Sequence, residues 1–143
     1  MNLANHLANP PGTWRPAKPA QAAAITELVA AAPLKLPQPY LDLLALSNGG
    51  EGDLAVEPDW ISLWPVEDVV ALNRGYEVGR YAPGFWGFGS NGGGELLAFD
   101  YRSGPPHPIV AIPFVPLDPA ESVSVAPSFG ALVEGIGRPM PAA

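Results

Sequence analysis

The sequence predicts an α+β domain built on a mainly antiparallel, twisted sheet with a Gly-rich hairpin at its centre. Segments with helical periodicity lie near both ends and in the middle of the 143-residue chain, and short apolar segments cluster between them. Nineteen Pro and sixteen Gly supply the turns that many short elements need. The stretch 85–100 places Asn-Gly and Gly-Gly pairs between two apolar arms, which is typical of a β-hairpin.

The individual elements follow from periodicity and from the positions of Pro and Gly. Helices are expected at 20–32, from 37 or 39 to 46 or 47, at 66–78 and from 127 or 128 onward; strands are expected at 54–56, 60–64, 85–101 (the hairpin), 109–112 and 122–125. Buried stripes are expected for Ile25, Leu28, Val29 and Ala32 in the first helix and for Phe129, Leu132, Val133 and Ile136 in the last. The segment Asn48-Gly49-Gly50 is expected to end the second helix through a left-handed residue.

The chain is expected to hold one folded domain with a short extension on each side. Residues 1–18 are rich in Pro and Gly and are predicted to form an extended arm. Length and apolar content predict a single domain at 19–137. The remaining residues, 138–143, are expected to be a disordered tail.

The composition is that of an acidic domain. A formal net charge of −7 disfavours binding to nucleic acid and to anionic membranes, since both are themselves negatively charged. The sequence contains no cysteine, which excludes disulfides, thiol catalysis and Cys-based metal sites. No apolar run approaches the ~20 residues of a membrane helix, and the first residues lack the features of a signal peptide. We therefore expect a cytoplasmic monomer or weak dimer that attracts basic partners.

The Gly-rich stretch contains a literal G-x-G-x-x-G at Gly87, Gly89 and Gly92. A dinucleotide site needs a helix directly after these glycines, because its N-terminus holds the pyrophosphate. Here a strand pattern follows and begins with Glu95, whose carboxylate would repel phosphate. The stretch is therefore interpreted as a tight turn in which Gly92 or Gly94 has a positive φ angle. No cofactor is predicted.

The sequence contains no recognisable catalytic or metal-binding motif. Ser90, Asp100 and His107 could be assembled into a Ser-His-Asp set, but the G-x-S-x-G elbow that presents such a serine is absent. Glycoside hydrolysis needs two paired carboxylic acids, and nothing in the sequence distinguishes two of its Asp and Glu residues as such a pair. We predict no catalytic residue, no metal ligand and no metal.

Four carboxylates are concentrated in nine residues, at Glu51, Asp53, Glu57 and Asp59. The calcium-loop spacing D-x-[DN]-x-[DN]-G does not occur there. Two interpretations stay open: a solvated acidic rim, or a patch complementary to a basic protein. In the second interpretation, Trp60 and Trp86 are candidate aromatic anchors beside the four acids.

Four ordered segments resemble the SUKH superfamily, which is named partly for a yeast regulator of cell-wall assembly. They are LPQPYLDLLALSNGGEG (36–52), LWPVEDVVALNRGYEV (63–78), GFGSNGGGELLAFDYR (87–102) and PIVAIPFVPLD (108–118). The resemblance covers roughly 19–135 and implies an α+β fold with a twisted antiparallel sheet and no established catalytic activity. It places Asn91, Gly92, Gly94 and Glu95 on the family's best-marked motif, and Ser47, Asn48, Gly49, Gly50 and Glu51 on its second. We expect these residues to be mostly structural.

The resemblance also implies a function, because many bacterial members look like immunity proteins that neutralise a cognate toxin, often a cationic nuclease. The leading hypothesis is therefore a non-enzymatic protein-binding domain, with a basic toxin domain as its partner. A scaffold or regulator of the cell-wall-assembly type is the first alternative. A small hydrolase is the second.

Overall fold

The computed structural model describes residues 3–8 and 13–142. Within these residues the chain forms six α-helices, one 3-10 helix and seven strands. The helices are α1 (Leu3–Ala8), α2 (Ala22–Ala31), α3 (Gln38–Leu46), α4 (Val66–Gly75), α5 (Val78–Tyr81) and α6 (Phe129–Val133), with the 3-10 helix at Pro119–Glu121. The strands are β1 (Arg15–Pro16), β2 (Gly50–Asp53), β3 (Trp60–Leu63), β4 (Phe85–Ser90), β5 (Glu95–Asp100), β6 (Ile109–Pro113) and β7 (Val123–Ala126).

All seven strands belong to one sheet, in which the spatial order follows the chain order from β1 to β7. Every neighbouring pair is antiparallel. The β4–β5 hairpin lies in the middle of this sheet, and its turn falls at the predicted Gly-rich residues. The predicted α+β fold with an antiparallel sheet and a central hairpin is therefore confirmed.

An aromatic cluster joins the helices to the middle of the sheet. The ring of Tyr40, in α3, lies 5.3 Å from the rings of both Phe99, in β5, and Phe129, in α6. Phe88, in β4, lies 4.8 Å from Phe99 and 5.4 Å from Phe129. All four side chains are fully buried. Edge-to-face and tilted ring pairs of this kind add stability beyond the area that they bury, so the cluster holds α3 and α6 to the central strands.

The predicted helices agree with the structure where the apolar periodicity is strong. The predicted α6 stripe is buried, since Phe129, Leu132, Val133 and Ile136 are all buried, but the helix ends at Val133 and Ile136 lies beyond it in a bridge with Leu54. The stripe of α2 is partly wrong: Leu28 is buried, but the side chain of Val29 is 45% exposed. The face of α2 that packs on the core is formed by Ala24, Ile25 and Leu28, so Val29 falls outside it and apolar spacing alone does not identify the buried face.

The first predicted strand lies directly after the strand that the structure shows. The strand expected at 54–56 instead forms at Gly50–Asp53, and Leu54 begins the following loop with its side chain fully buried. Glycine is rarely favourable in strands, and here it is required by a close approach of the backbone. A Cβ atom at Gly52 would lie 2.8 Å from the Cα atom of Trp14, whose side chain is buried.

Two further expectations differ from the structure. The helix expected at 66–78 is divided into α4 and α5 because Glu77 adopts a left-handed conformation with φ 53°. The helix α3 ends at an extended Ser47 rather than at a left-handed residue, and the positive φ angles come later, at Gly49 and Gly50. The Ser47 N–H still bonds the Leu43 carbonyl over 2.8 Å, which satisfies one terminal acceptor of the helix.

Part of the segment predicted as an extended arm is helical. Leu3–Ala8 forms α1, and His6 Nε2 donates to the Ile136 carbonyl over 2.8 Å. Strand β1 pairs with β2, while residues 1, 2 and 9–12 lie outside the described residues. Trp14 and His6 are buried, so this segment packs on the domain, which its content of Pro and Gly does not indicate. The division of the chain at 18/19 and 137/138 stays a prediction.

Candidate functional site

The candidate site is the acidic hairpin, which we define as β2, β3 and the loop between them, residues 50–63. In its register, Glu51 lies opposite Ser62 and Asp53 lies opposite Trp60. Residues that face each other across an antiparallel pair, and residues two apart along a strand, share one side of the sheet. The side chains of Glu51, Asp53, Trp60 and Ser62 therefore lie on one side of the acidic hairpin. The opposite side carries Ile61 and Leu63, which are buried.

The other two carboxylates lie in the loop that joins the strands. Glu57 and Asp59 are exposed, and Asp59 adopts a left-handed conformation with φ 64°. Asp tolerates this conformation better than most residues. The start of the loop is attached to the core, because the Ala55 N–H donates to the Gly135 carbonyl over 3.0 Å and Leu54 is fully buried. Leu54 and Ala55 are therefore held in place, while Glu57 and Asp59 are exposed to solvent.

The acidic charge of this hairpin is largely unneutralised. Arg15 Nη1 lies 3.9 Å from Glu51 Oε1, and both side chains are substantially exposed. Asp53 accepts a hydrogen bond from the Thr13 hydroxyl over 2.8 Å, a neutral partner. Within the part of the chain that the structure describes, Asp53, Glu57 and Asp59 form no ion pair. A patch of this kind attracts basic proteins through its field, an effect that salt weakens.

Trp60 connects the acidic hairpin to the Gly-rich turn. Its side chain is partly exposed, and it packs on Gly92, where a Cβ atom would come within 2.9 Å of Trp60 Cδ1. Gly92 has a φ of 79°, so the prediction that Gly92 or Gly94 has a positive φ is confirmed. A partly exposed tryptophan beside charged groups is the type of residue that dominates binding energy in protein interfaces.

The Gly-rich turn is held by Asn91. Its Oδ1 accepts the N–H groups of Gly93 and Glu95 over 3.0 Å each, and its Nδ2 donates to Glu95 Oε1 over 3.1 Å. Asn91, and not Glu95, therefore bonds the amides of the turn, while the Glu95 carboxylate accepts from the Asn91 side chain. Gly94 contributes its carbonyl, which accepts from Phe114 N–H over 2.9 Å.

The second predicted motif, residues 47–51, joins three segments. The buried Ser47 hydroxyl accepts from Ala17 N–H over 2.9 Å and donates to the Gly49 carbonyl over 2.7 Å. Asn48 Oδ1 accepts from Val66 N–H over 2.7 Å, which satisfies a free donor at the start of α4. A Cβ atom at Gly50 would lie 2.7 Å from the ring of Trp14. These contacts position β2 and its Glu51.

The structure does not bring Trp86 to the acidic hairpin. Trp86 pairs with Phe99, near the end of β5 that carries Asp100, whereas Trp60 packs on the turn at the other end of the β4–β5 hairpin. Its ring nitrogen is buried without a hydrogen-bond partner among the described residues. A partner that covers the acidic hairpin would contact Trp60 before Trp86.

The arrangement does not assemble a nucleophilic triad. Ser90 pairs with Leu96 and Asp100 pairs with Phe85, so the two lie at opposite ends of the hairpin. Leu96 and Asp100 are four steps apart along β5, which is about 13 Å at the usual rise per residue. Asp100 is instead bonded by Arg102, over 3.0 and 2.9 Å, and this guanidinium lowers the pKa of the carboxyl. Among the described residues, no three His, Asp or Glu side chains are grouped as metal ligands.

Two structural features were missed from the sequence. Trp14 is buried against β2, although the Pro-rich segment around it predicts an extended arm. Asn73, in α4, is buried and bonds the backbone of Gly87. A polar residue that interrupts an otherwise apolar stripe is a signal for such a contact, but its partner is not evident from sequence.

Comparison with known proteins identifies the family. The family model of the SMI1 / KNR4 family (SUKH-1) matches residues 19–135. No curated protein matches the chain at a significant level. Among the described helices, none has the length and apolar character needed to cross a membrane. The match spans most of the chain and agrees with the observed sheet and motifs, so this chain belongs to the SMI1/KNR4 (SUKH-1) family.

Proposed function

We propose that the protein is a non-enzymatic binding domain that acts as an immunity protein, neutralising a basic toxin domain in the cytoplasm. The observation that carries the proposal is the acidic hairpin, which presents four carboxylates around a partly exposed Trp60. Family membership supports a SUKH-type binding domain. The toxin, its activity and its basic surface are part of the proposal.

The geometry is suited to fast association followed by slow dissociation. Three carboxylates without a described ion pair create a field that speeds the encounter with a cationic partner. Trp60 lies in the same hairpin, packs on Gly92 and is partly exposed, so it can enter a pocket of the partner. The charges would set the association rate, while Trp60 would set the dissociation rate.

We expect a toxin domain to be encoded beside this chain in its source genome, and the test uses that domain. The purified toxin is titrated with the protein, and the remaining toxic activity is measured. A binding inhibitor abolishes activity at an equimolar ratio, because each toxin molecule needs its own inhibitor. An enzyme that modifies the toxin abolishes activity at a small fraction of that ratio.

Two results would overturn the proposal. Neutralisation far below an equimolar ratio would support the hydrolase alternative. A toxin that stays active at excess protein, although the protein is folded by circular dichroism, would support the scaffold alternative. Trp60→Ala serves as the site-directed variant and is expected to raise the protein concentration needed for neutralisation. The matched control is Trp86→Ala, which lies away from the acidic hairpin.

A further inference from the structure

A groove of about 570 Å³ lies between the α4–α5 segment and the loop that follows β6. We call it the aromatic groove and define it by Tyr76, Tyr81, Phe114, Val115 and Asp118. The rings of Tyr76 and Phe114 are stacked, with 4.4 Å between their centroids. Three of its large side chains are exposed, Tyr76 by 43%, Tyr81 by 49% and Val115 by 90%. Exposed apolar side chains that are grouped in this way mark an interaction surface, whereas single ones are ordinary.

The aromatic groove and the acids of the acidic hairpin lie on the same side of the sheet. The registers of β3, β4 and β5 place the side chains of Ser62 and Leu96 on one side. A Cβ atom at Gly87 would lie 2.7 Å from Leu96 Cδ1 and 3.2 Å from the Trp64 ring, so Trp64 lies on this side as well. Tyr76 stacks on Trp64 with 6.3 Å between ring centroids. The hairpin acids share the side of Ser62, so they face the same way as the aromatic groove.

The Gly-rich turn joins the two surfaces. Trp60 packs on Gly92, and the Phe114 N–H donates to the Gly94 carbonyl over 2.9 Å. Two residues of chain span at most about 7 Å, so these two contacts are close together. The turn between them is bare of side chains, because residues 92–94 are all glycine and all exposed. A partner that covers the acidic hairpin can therefore pass over the turn and reach the aromatic groove.

The charges favour a basic partner over a second copy of the chain. Among the described lining residues of the groove, Asp118 is the one with a charge, and it forms no ion pair within the described part of the chain. Arg80 lies over the Tyr81 ring, but its charge is offset by Glu77, 3.4 Å away. A symmetric dimer would bring the same patch of two chains together, so acids would face acids. A basic partner would meet opposite charges over the whole surface.

We propose that the aromatic groove is the apolar part of the interface with the basic partner. It receives an apolar side chain from a segment of the partner whose Lys and Arg side chains lie on the acidic hairpin and at Asp118. This inference rests on the proposed function, since it concerns the same partner. Interfaces combine an apolar core with a polar rim, and the acidic hairpin supplies mainly charge. Tyr81 and Val115 are thus the anchors that accompany Trp60, a role for which Trp86 lies at the wrong end of β4.

The test measures the association and dissociation rate constants of the full chain with the toxin domain, because buried anchors act mainly on dissociation. Tyr81→Ala combined with Val115→Ser removes the two most exposed apolar side chains of the groove. This variant should dissociate at least about tenfold faster. Its association rate constant should change by less than about threefold, since no charge is altered. Val29→Ala combined with Val123→Ser removes exposed apolar side chains outside the groove and is the control, with both rate constants expected within about twofold of the wild type.

A second variant tests whether the partner covers the turn. Gly94 is exposed, and no other atom lies within 4 Å of its Cβ position, so Gly94→Gln is compatible with the fold. The added neutral side chain would stand between the two anchors and should weaken binding at least about tenfold. Gly104 is also exposed with the same free space, and it lies in the loop after β5. Gly104→Gln is therefore the matched control and should bind as the wild type does.

The outcomes separate this inference from the proposed function. A wild-type chain that neither binds nor neutralises the toxin domain overturns both. A wild-type chain that binds it, while the groove variant and Gly94→Gln keep wild-type rate constants, overturns this inference alone. Sedimentation equilibrium of the chain without toxin is the last check. A dimer that Tyr81→Ala with Val115→Ser converts to a monomer would assign the groove to a second copy and overturn the inference as well.

Discussion

Asn73 of α4 completes the backbone hydrogen bonding of Gly87 in β4. Its Nδ2 donates to the Gly87 carbonyl over 2.9 Å, and its Oδ1 accepts the Gly87 N–H over 2.8 Å. Strand β3 pairs with β4 only at Gly89 and Ser90, so the amide takes the place of a neighbouring strand at Gly87. The same Nδ2 also donates to the Val69 carbonyl over 2.8 Å. A single buried side chain thus joins α4 to the central hairpin.

Asn73→Ala is expected to lower the free energy of unfolding by about 2–4 kcal/mol, because it leaves two buried backbone groups of Gly87 without partners. The measurement is urea unfolding followed by circular dichroism. Arg74→Ala, at the exposed neighbouring position, is the control and should change stability by less than about 0.5 kcal/mol. Equal stability of the two variants would show that the Asn73 contacts contribute little.

The Gly-rich turn allows a matched comparison of two glycines. Gly92→Ala should destabilise the protein by roughly 1–2 kcal/mol, since its φ of 79° is unfavourable for Ala and the new methyl group would meet Trp60. Gly94→Ala should change stability by less than about 0.5 kcal/mol, because no other atom lies within 4 Å of its Cβ position. Thermal unfolding of both variants distinguishes them. The account of the turn is wrong if Gly94→Ala is the more damaging change.

The Asp100–Arg102 pair predicts a pH dependence. The hydrogen bonds from Arg102 are the largest cause that lowers the pKa of Asp100, and His107 makes a smaller contribution. A carboxyl whose pKa is lower in the folded state contributes stability above its unfolded pKa, about 3.9, and this contribution is lost as the pH falls through the folded pKa. Because the Arg102 side chain is 53% exposed, we expect less than about 1 kcal/mol at pH 7.

Urea unfolding of Asp100→Asn and Arg102→Met between pH 2 and pH 7 checks this dependence. Asp100→Asn should lose this part of the decline in stability below pH 4 completely, whereas Arg102→Met should lose most of it, because the backbone N–H of Arg102 still bonds Asp100 Oδ1. The double variant should lose no more than Asp100→Asn alone, since the two side chains form one interaction. A decline that is unchanged in Asp100→Asn would assign the acid sensitivity to other carboxylates.

Local sequence patterns predicted the parts of the fold that depend on local contacts. The α6 stripe from Phe129 to Ile136 and the turn at Gly92 follow from spacing and from backbone preference. The strand at Gly50–Asp53 was missed because glycine does not favour strands. Glycine is needed there because Trp14, from a distant part of the sequence, packs so closely that a Cβ atom would not fit. Asn73 was missed for the same reason, since its partner Gly87 lies on another element.

In the candidate site, too, local features were predicted and long-range contacts were not. Glu51, Asp53, Glu57 and Asp59 could be grouped from sequence because one hairpin carries them all. Trp86 was grouped with them as well, but it lies at the other end of β4, since sequence does not show which end of β4 lies beside β3. The apolar groove between residues 33–39 and the loop at Pro105 and Pro106 was not predicted, because these segments are about 70 residues apart and meet only in the folded chain.

If the acidic hairpin binds a basic partner, the association rate depends on where charges are reversed and not only on the net charge. One variant reverses all four hairpin acids (Glu51, Asp53, Glu57 and Asp59→Lys). The control reverses four exposed acids elsewhere (Glu27, Asp42, Glu77 and Glu121→Lys), which changes the net charge by the same amount. Circular dichroism confirms that both variants are folded.

The most direct measurement is the association rate constant for the toxin domain, determined by stopped flow between 20 mM and 500 mM salt. We expect the hairpin variant to associate at least about tenfold more slowly than the wild type at low salt and to lose most of the salt dependence. The control variant should stay within about threefold of the wild type and keep most of its salt dependence, because its charges lie farther from the contact. Equal rates for the two variants would contradict the assignment of binding to the acidic hairpin.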